Sequence, residues 1–268
     1  MHTIDLAHHL GRVRETRPLV HNITNHVAMN TMANVLLAYG ASPAMAHARE
    51  EVGEFAALAG AVTLNIGTLS PDWVNAMEDA ARAANGAGTP WVLDPVAVGA
   101  TALRREAGAR LLALSPTAVR GNASEIMALA EQGRGGQGVD STDTTEAAER
   151  AAVVLARRTG AIVAVTGETD LVTDGKRLAR VAGGHALMPL VTTLGCALTG
   201  VVGAHLAIGE EPFDACVAAL ASYAVAGSIA GEHASGPGSF AVAFLDALHA
   251  LDANTLTARA QLEITHAT

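Results

Sequence analysis

The chain has 268 residues, of which 50% are hydrophobic and 16% charged, and it carries a net charge of −9. That apolar content supports a sizeable core and excludes extended disorder; with aromatics at 3%, small aliphatic side chains must fill the core. The acidic balance excludes a nucleic-acid partner, because phosphate backbones need a basic face.

Short apolar runs at 18–20, 42–44, 62–65, 91–93, 118–120 and 162–165 are predicted strands. They are brief and do not alternate, as expected of parallel strands covered on both faces. Between them, helices are predicted over 27–39, 49–58, 71–84, 103–114, 123–130 and 144–158. Ser70-Pro71 reads as a helix start, with serine as N-cap and proline at the first helical position. After Val165 the pattern changes: 170–173 and 177–182 flank Asp174-Gly175-Lys176 as a hairpin, and from Gly195 onward the chain reads as helical. Residues 131–141 read as a surface loop. With no linker and no repeat, the expectation is one three-layer α/β domain over 1–268 with a mostly parallel central sheet.

Cys196 and Cys216 are too few for a disulfide framework, and Met1 to Asp5 lacks a basic region followed by an apolar one. A cytoplasmic protein is expected. The charge-free stretches 18–48 and 181–209 are interrupted by His, Asn, Pro and Gly residues, so no membrane span is expected in either. Gly133, Gly135 and Gly138 match G-x-G-x-x-G, but no strand leads into them, and that fingerprint works only at a strand-to-helix turn. No Walker-type loop surrounds the single lysine, Lys176, and the eleven histidines show no zinc-ligand spacing.

The signals that carry chemistry lie at the ends of predicted strands and at one helix start. In 191–200, a polar, glycine-containing turn runs into a small-residue helix expected from Ala197 to Ile208. The first amides of a helix lack internal partners and form an anion site, which a glycine at 195 lets a phosphate approach. Cys196 would sit at that positive end with a lowered thiol pKa, or else be a structural cysteine at an ordinary helix start. Cys216 reads as core. In Arg120-Gly121-Asn122-Ala123-Ser124-Glu125, Asn122 and Glu125 form either a helix-capping pair or, with Arg120, a site for nucleotide phosphate and a magnesium-water cluster. Asp94, at the end of the 91–93 strand, is either a turn cap or an outer-shell magnesium ligand. Thr166 could donate to a phosphate, whereas Glu168 and Asp170 read as solvated turn residues. His21 to Val27 precedes a helix, and Ser42-Pro43-Ala44-Met45 supplies a soft apolar side chain to a pocket or to the core.

Taken in order, these segments resemble the hydroxyethylthiazole kinase family over nearly the whole chain. The resemblance also rests on Asn65-Ile66-Gly67-Thr68 and Gly236-Pro237-Gly238-Ser239-Phe240. It implies a ribokinase-like fold, ATP and magnesium as cofactors, and a homotrimer with active sites between neighbouring subunits. It implies that Met45 and Asn25 contact the thiazole with Val27 on the same wall, and that Arg120 and Thr166 contact ATP. Gly195 would lie at the junction of substrate and phosphate, Ala197 would complete the anion-binding amides, and Glu125 and Asp94 would serve magnesium. Cys196 occupies the position at which related sugar kinases carry a catalytic aspartate. One departure is expected to matter: the family commonly reads Thr-Gly-x-Gly-Cys at the anion loop, where this chain has Thr192-Thr193-Leu194-Gly195-Cys196, and threonine is costly if that residue needs positive φ. The implied activity is phosphorylation of the thiazole's primary alcohol; the alternatives are a kinase for the pyrimidine half of thiamine and a nucleotide-binding regulatory module.

Overall fold

Side chains on successive residues of the strands enter opposite cores. Val163 and Val165 pack into one cluster of buried residues and Ile162 and Ala164 into the other, and Trp91 and Leu93 are likewise separated from Val92. Strands apolar on both faces must be covered twice, and they are. The computed structural model describes residues 3–131 and 144–267, so the glycine-rich segment 133–138 and most of the loop expected over 131–141 lie outside the described residues.

The strands are β1 (Leu19–Ile23), β2 (Ser42–Ala44), β3 (Ala61–Asn65), β4 (Trp91–Asp94), β5 (Ala118–Asn122), β6 (Ile162–Thr166), β7 (Thr169–Thr173), β8 (Arg177–Ala182) and β9 (Gln261–His266). They form one sheet in the order β2-β1-β3-β4-β5-β6-β7-β8-β9. Pairing is parallel from β2 to β6 and antiparallel from there to β9. One face is covered by α3 (Val52–Leu58), α4 (Pro71–Ala87), α5 (Ala102–Leu112), α6 (Ala123–Glu131) and α7 (Thr144–Thr159). The other carries α1 (Leu6–Thr16), α2 (Met29–Tyr39), α8 (Leu194–Leu206), α9 (Pro212–His233), α10 (Pro237–Ala250) and α11 (Ala253–Arg259). Mixed sheet and flanking helices make the three-layer α/β/α fold that the sequence predicts.

Three expectations are corrected. The C-terminal region is not wholly helical, because β9 returns to pair with β8; Leu262 and Ile264 face inward between Glu263 and Thr265. His21, Asn22 and Ile23 extend β1 past the strand end expected at 20, and α2 starts at Met29 rather than Val27, after a turn in which the Ala28 amide donates to Asn25 Oδ1 at 2.9 Å. Helix α8 starts at Leu194, so Gly195 and Cys196 lie inside its first turn. The Ser70 N-cap is borne out, accepting from the Trp73 amide at 3.2 Å.

Two features fix α8 against the sheet. A Cβ at Gly203 would fall 3.0 Å from Thr63 and 3.1 Å from Val20, so the helix backbone rests directly on β3 and β1. Beside it, α9 is long and apolar enough to cross a membrane, with an apolar window that is 83% buried. It is a core helix, whose charge-free run over 215–231 is bounded by Asp214 and Glu232.

Between α1, α2 and α8, the Tyr39 hydroxyl pairs with His205 Nε2 at 2.7 Å, and the His9 ring stacks on His205 at 5.8 Å. Burial, with a smaller push from His9, lowers the His205 pKa from 6.5 to about 3. The folded value lies below the unfolded one, so stability present above pH 6.5 is lost as pH falls towards 3, where only the unfolded chain takes up the proton. By pH 5 the loss is about 2 kcal/mol. Thermal unfolding followed from pH 7 to pH 5 should therefore show a falling midpoint, and His205→Gln, which keeps an acceptor for Tyr39, should flatten that fall; equal slopes in both proteins would refute the assignment.

Candidate active site

The carboxyl ends of β1, β3, β4, β5 and β6 deliver Asn25, Asn65, Asp94, Arg120 and Thr166 to one end of the sheet, where ligands collect in open α/β folds. The first turn of α8 arrives at the same place. Its Ala197 amide donates to Thr193 O at 2.9 Å, so the unpaired amides of the helix start belong to Leu194, Gly195 and Cys196. Ala197 is therefore corrected as an anion-binding donor: its N–H is committed inside the helix. The Tyr223 hydroxyl donates to Leu194 O at 2.7 Å and anchors this turn from α9.

Arg120 lies flat against that turn. A Cβ at Gly195 would be 3.2 Å and 3.3 Å from its two terminal nitrogens, closer than an alanine methyl accepts without displacing the guanidinium. One terminal nitrogen donates to Thr166 Oγ1 at 2.7 Å, and the other lies 3.8 Å from Asp94 Oδ2. Helix amides and guanidinium thus come together as donors, an arrangement suited to a phosphate, while the Thr166 hydroxyl accepts from Arg120 and donates to Gly121 O at 3.4 Å.

Asp94 is fully buried. Its Oδ2 accepts from Asn65 Nδ2 at 2.7 Å and Thr199 Oγ1 at 2.8 Å, while Oδ1 is buried without a partner. Burial raises its pKa to about 6 against the opposing pull of Arg120, and Glu125 adds to the rise. From Asn65 the network continues: Asn25 Nδ2 donates to Asn65 Oδ1 at 3.0 Å and lies 3.3 Å from Cys196 Sγ. An unbroken polar chain thus joins Cys196, Asn25, Asn65, Asp94 and Thr199. Burial, and then Asp94, push the Cys196 thiol above its usual range, which corrects the lowered value expected from the helix dipole.

Glu125 and Asn122 form the capping pair. Asn122 Oδ1 accepts from the Glu125 amide at 3.0 Å, and Glu125 Oε2 accepts from the Asn122 amide at 2.8 Å. Glu125 Oε1 also accepts from the Ala97 amide at 2.9 Å, which ties the turn after β4 to the start of α6. Among the described residues no group of three or more His, Cys, Asp or Glu is arranged to hold a metal ion.

Beside the donors lies a cavity of about 730 Å³, lined by Arg120, Asn122, Thr166 and Asp170 and by apolar groups that include Met188 and Leu198. Its size is that of a pocket for a cofactor-sized molecule. Leu194 and Gly195 of the first turn of α8 line it, whereas Cys196 and Asn25 do not. Asp170 is not a solvated turn residue: it is half-buried, accepts from the Gly167 amide at 3.0 Å, and burial raises its pKa to about 6. Glu168 is exposed, as expected. Met45 is half-buried and packs against the core on the α2 side, whereas Val27 is 60% exposed and stands outside the polar network.

The sequence signature of the hydroxyethylthiazole kinase family matches residues 10–254. The chain belongs to the hydroxyethylthiazole kinase family. A hydroxyethylthiazole kinase of Cereibacter sphaeroides is 62% identical over 255 residues, spanning 95% of this chain and 97% of that protein. One of Rhizobium leguminosarum is 62% identical over 254 residues, spanning 94% and 95%. The structure of a hydroxyethylthiazole kinase protein from Pyrococcus horikoshii matches with a TM-score of 0.91 at 42% identity, over 97% of this chain and 98% of that one. A Staphylococcus aureus pyridoxal kinase in complex with AMP-PCP and pyridoxal matches at a TM-score of 0.62 and 16% identity, over 93% and 99%, a likeness of fold alone. The expected ribokinase-like architecture is the one found.

Residues of this family member that the sequence reading did not single out are Thr199, Tyr223 and the connecting role of Asn65. Thr199 sits mid-helix, and nothing local marks a side chain whose partner lies 105 positions away. Thr193 does adopt positive φ, 72°, the left-handed conformation that a β-branched residue resists. Thr193→Gly should stabilise the folded protein by about 1 kcal/mol. A denaturant midpoint unchanged or lowered in the variant would contradict this.

Proposed function

We propose that this chain transfers the γ-phosphoryl group of ATP to the primary alcohol of 4-methyl-5-(2-hydroxyethyl)thiazole, the salvage step for the thiazole half of thiamine. The observation that carries this reading is 62% identity, over 95% of the chain, to a protein named for that activity. The convergence of helix amides, Arg120 and Thr166 beside a cavity of about 730 Å³ supports it chemically.

In this reading the nucleotide occupies the cavity with its phosphates towards Arg120, Thr166 and Gly195, and the alcohol approaches from the side of Cys196. Asn25, Met45 and Val27 form the thiazole wall. Phosphoryl transfer passes through a loose transition state, so positioning and charge neutralisation do most of the catalysis. The amides of Leu194, Gly195 and Cys196 and the Arg120 fork stabilise the charge on the migrating group. Cys196 orients the alcohol, and only its thiolate form can accept the proton; burial and Asp94 keep that form scarce, in keeping with a reaction that asks little of a base.

The donor set fits magnesium, which typically takes one or two carboxylates and otherwise keeps water and phosphate oxygens. Asp94, whose buried Oδ1 has no partner, and Glu125, whose charge bears on Asp94, are the residues that would hold it. There it supplies neutralisation of phosphate charge. The same reading takes the protein as a cytoplasmic homotrimer with sites between subunits. The exposure of Val27, unusual for one wall of an apolar pocket, supports a wall completed by a neighbouring subunit.

ADP release with ATP and magnesium should depend on hydroxyethylthiazole. Release only with the pyrimidine alcohol of thiamine would move the chain to a sister activity, and silence with both would leave a nucleotide-binding module. Cys196→Asp should retain or raise turnover, since a carboxylate is the better base; complete loss with fold and ATP binding intact would remove Cys196 from the mechanism.

A further inference from the structure

We infer that Trp73 is a positioning residue for the alcohol side of the site, clasped between His26 and His47 so that it holds two substrate segments in register. This rests on the reading of Asn25, Val27 and Met45 as the thiazole wall. Trp73 is the third residue of α4, and Ser70 and Pro71 fix the start of that helix. Its indole is half-buried. The His26 ring meets it edge-on at 4.7 Å and 65°, and the His47 ring stacks on it at 4.3 Å and 20°.

Each histidine belongs to a different wall segment. His26 stands between Asn25 and Val27, and its amide donates to Thr68 Oγ1 at 3.0 Å, joining the turn after β1 to the turn after β3. His47 lies two residues beyond Met45. The carbonyl between them, Ala46 O, is met by the buried His21 ring at 2.8 Å. The 45–47 segment is thus held by His21 beneath and Trp73 above, and the only covering that ties it to the 25–27 segment through side chains among these contacts is the indole. Both histidines are exposed, so stacking on one ring, rather than burial, sets their positions.

Neither Trp73 nor its histidines belong to the Cys196–Asp94 network or line the nucleotide cavity. The clasp therefore acts on KM for the alcohol and leaves the nucleotide side alone. In the full-length protein, Trp73→Ala should raise KM for hydroxyethylthiazole about tenfold, the worth of two ring contacts, with KM for ATP unchanged. Trp73→Phe, which keeps a ring between the histidines, should restore most of the difference. Trp91 is the other indole, fully buried and tied to Asn85 at 2.9 Å, so the wild-type emission less that of Trp73→Phe isolates Trp73. That difference should shift on adding the alcohol and not on adding ATP.

An unchanged alcohol KM in Trp73→Ala, or equal rises in both KM values, would overturn the inference. Wild-type protein that turns over no thiazole alcohol would sink the proposed function instead. The clasp would then be judged by hydrogen exchange: Trp73→Ala must loosen 25–27 and 45–47 while β3 and β4 stay protected, and unchanged or global exchange would dispose of it.

Discussion

Burying a carboxylate costs several kcal/mol unless charge and hydrogen bonds meet it, and the site is organised around one such group. Asp94 takes donors from β3 through Asn65 and from α8 through Thr199, and faces Arg120 from β5. Remove it and Asn65 Nδ2 and Thr199 Oγ1 lose the acceptor they share, while Asn65 and Asn25 keep the Gly67 and Ala28 amides on their Oδ1 atoms. Its other oxygen is buried without a partner, and so is available to a cation or a polar ligand.

The turn that opens α8 follows a different logic. Thr193 accepts a left-handed backbone that glycine would adopt freely, and Gly195 is kept without a side chain by the guanidinium pressed against it. Strain at the first position and openness at the second expose three helix amides beside Arg120. Tyr223 holds the turn from behind through Leu194 O, so the strain is borne by packing rather than by the loop itself.

Much of this was legible in the sequence for stated reasons. The strands announced themselves because parallel strands buried twice cannot alternate, and the donors Arg120 and Thr166 and the acid Asp94 were found because they end those strands. Cys196 was located but its chemistry was misjudged: a helix start lowers a thiol pKa, yet burial and a carboxylate brought from β4 outweigh that dipole. Ala197 was misassigned by a three-residue error in where α8 begins, enough to turn a free amide into a bonded one. The alternation in Gln261-Leu262-Glu263-Ile264-Thr265-His266 was a strand signal passed over within a helical region. Thr199 and Tyr223 carry no such signal, since their roles exist only across long sequence separations.

Helix α9 carries a consequence for how the chain reaches this fold. It is apolar enough for a bilayer, and its covering comes from α8 before it, α10 after it and the antiparallel strands beside it. On emerging from the ribosome it therefore meets water before α10 has been made. During that interval the chain offers a long greasy surface to chaperones, lipid and other nascent copies. Expression temperature and synthesis rate should govern the yield of this protein more than the stability of the finished fold does.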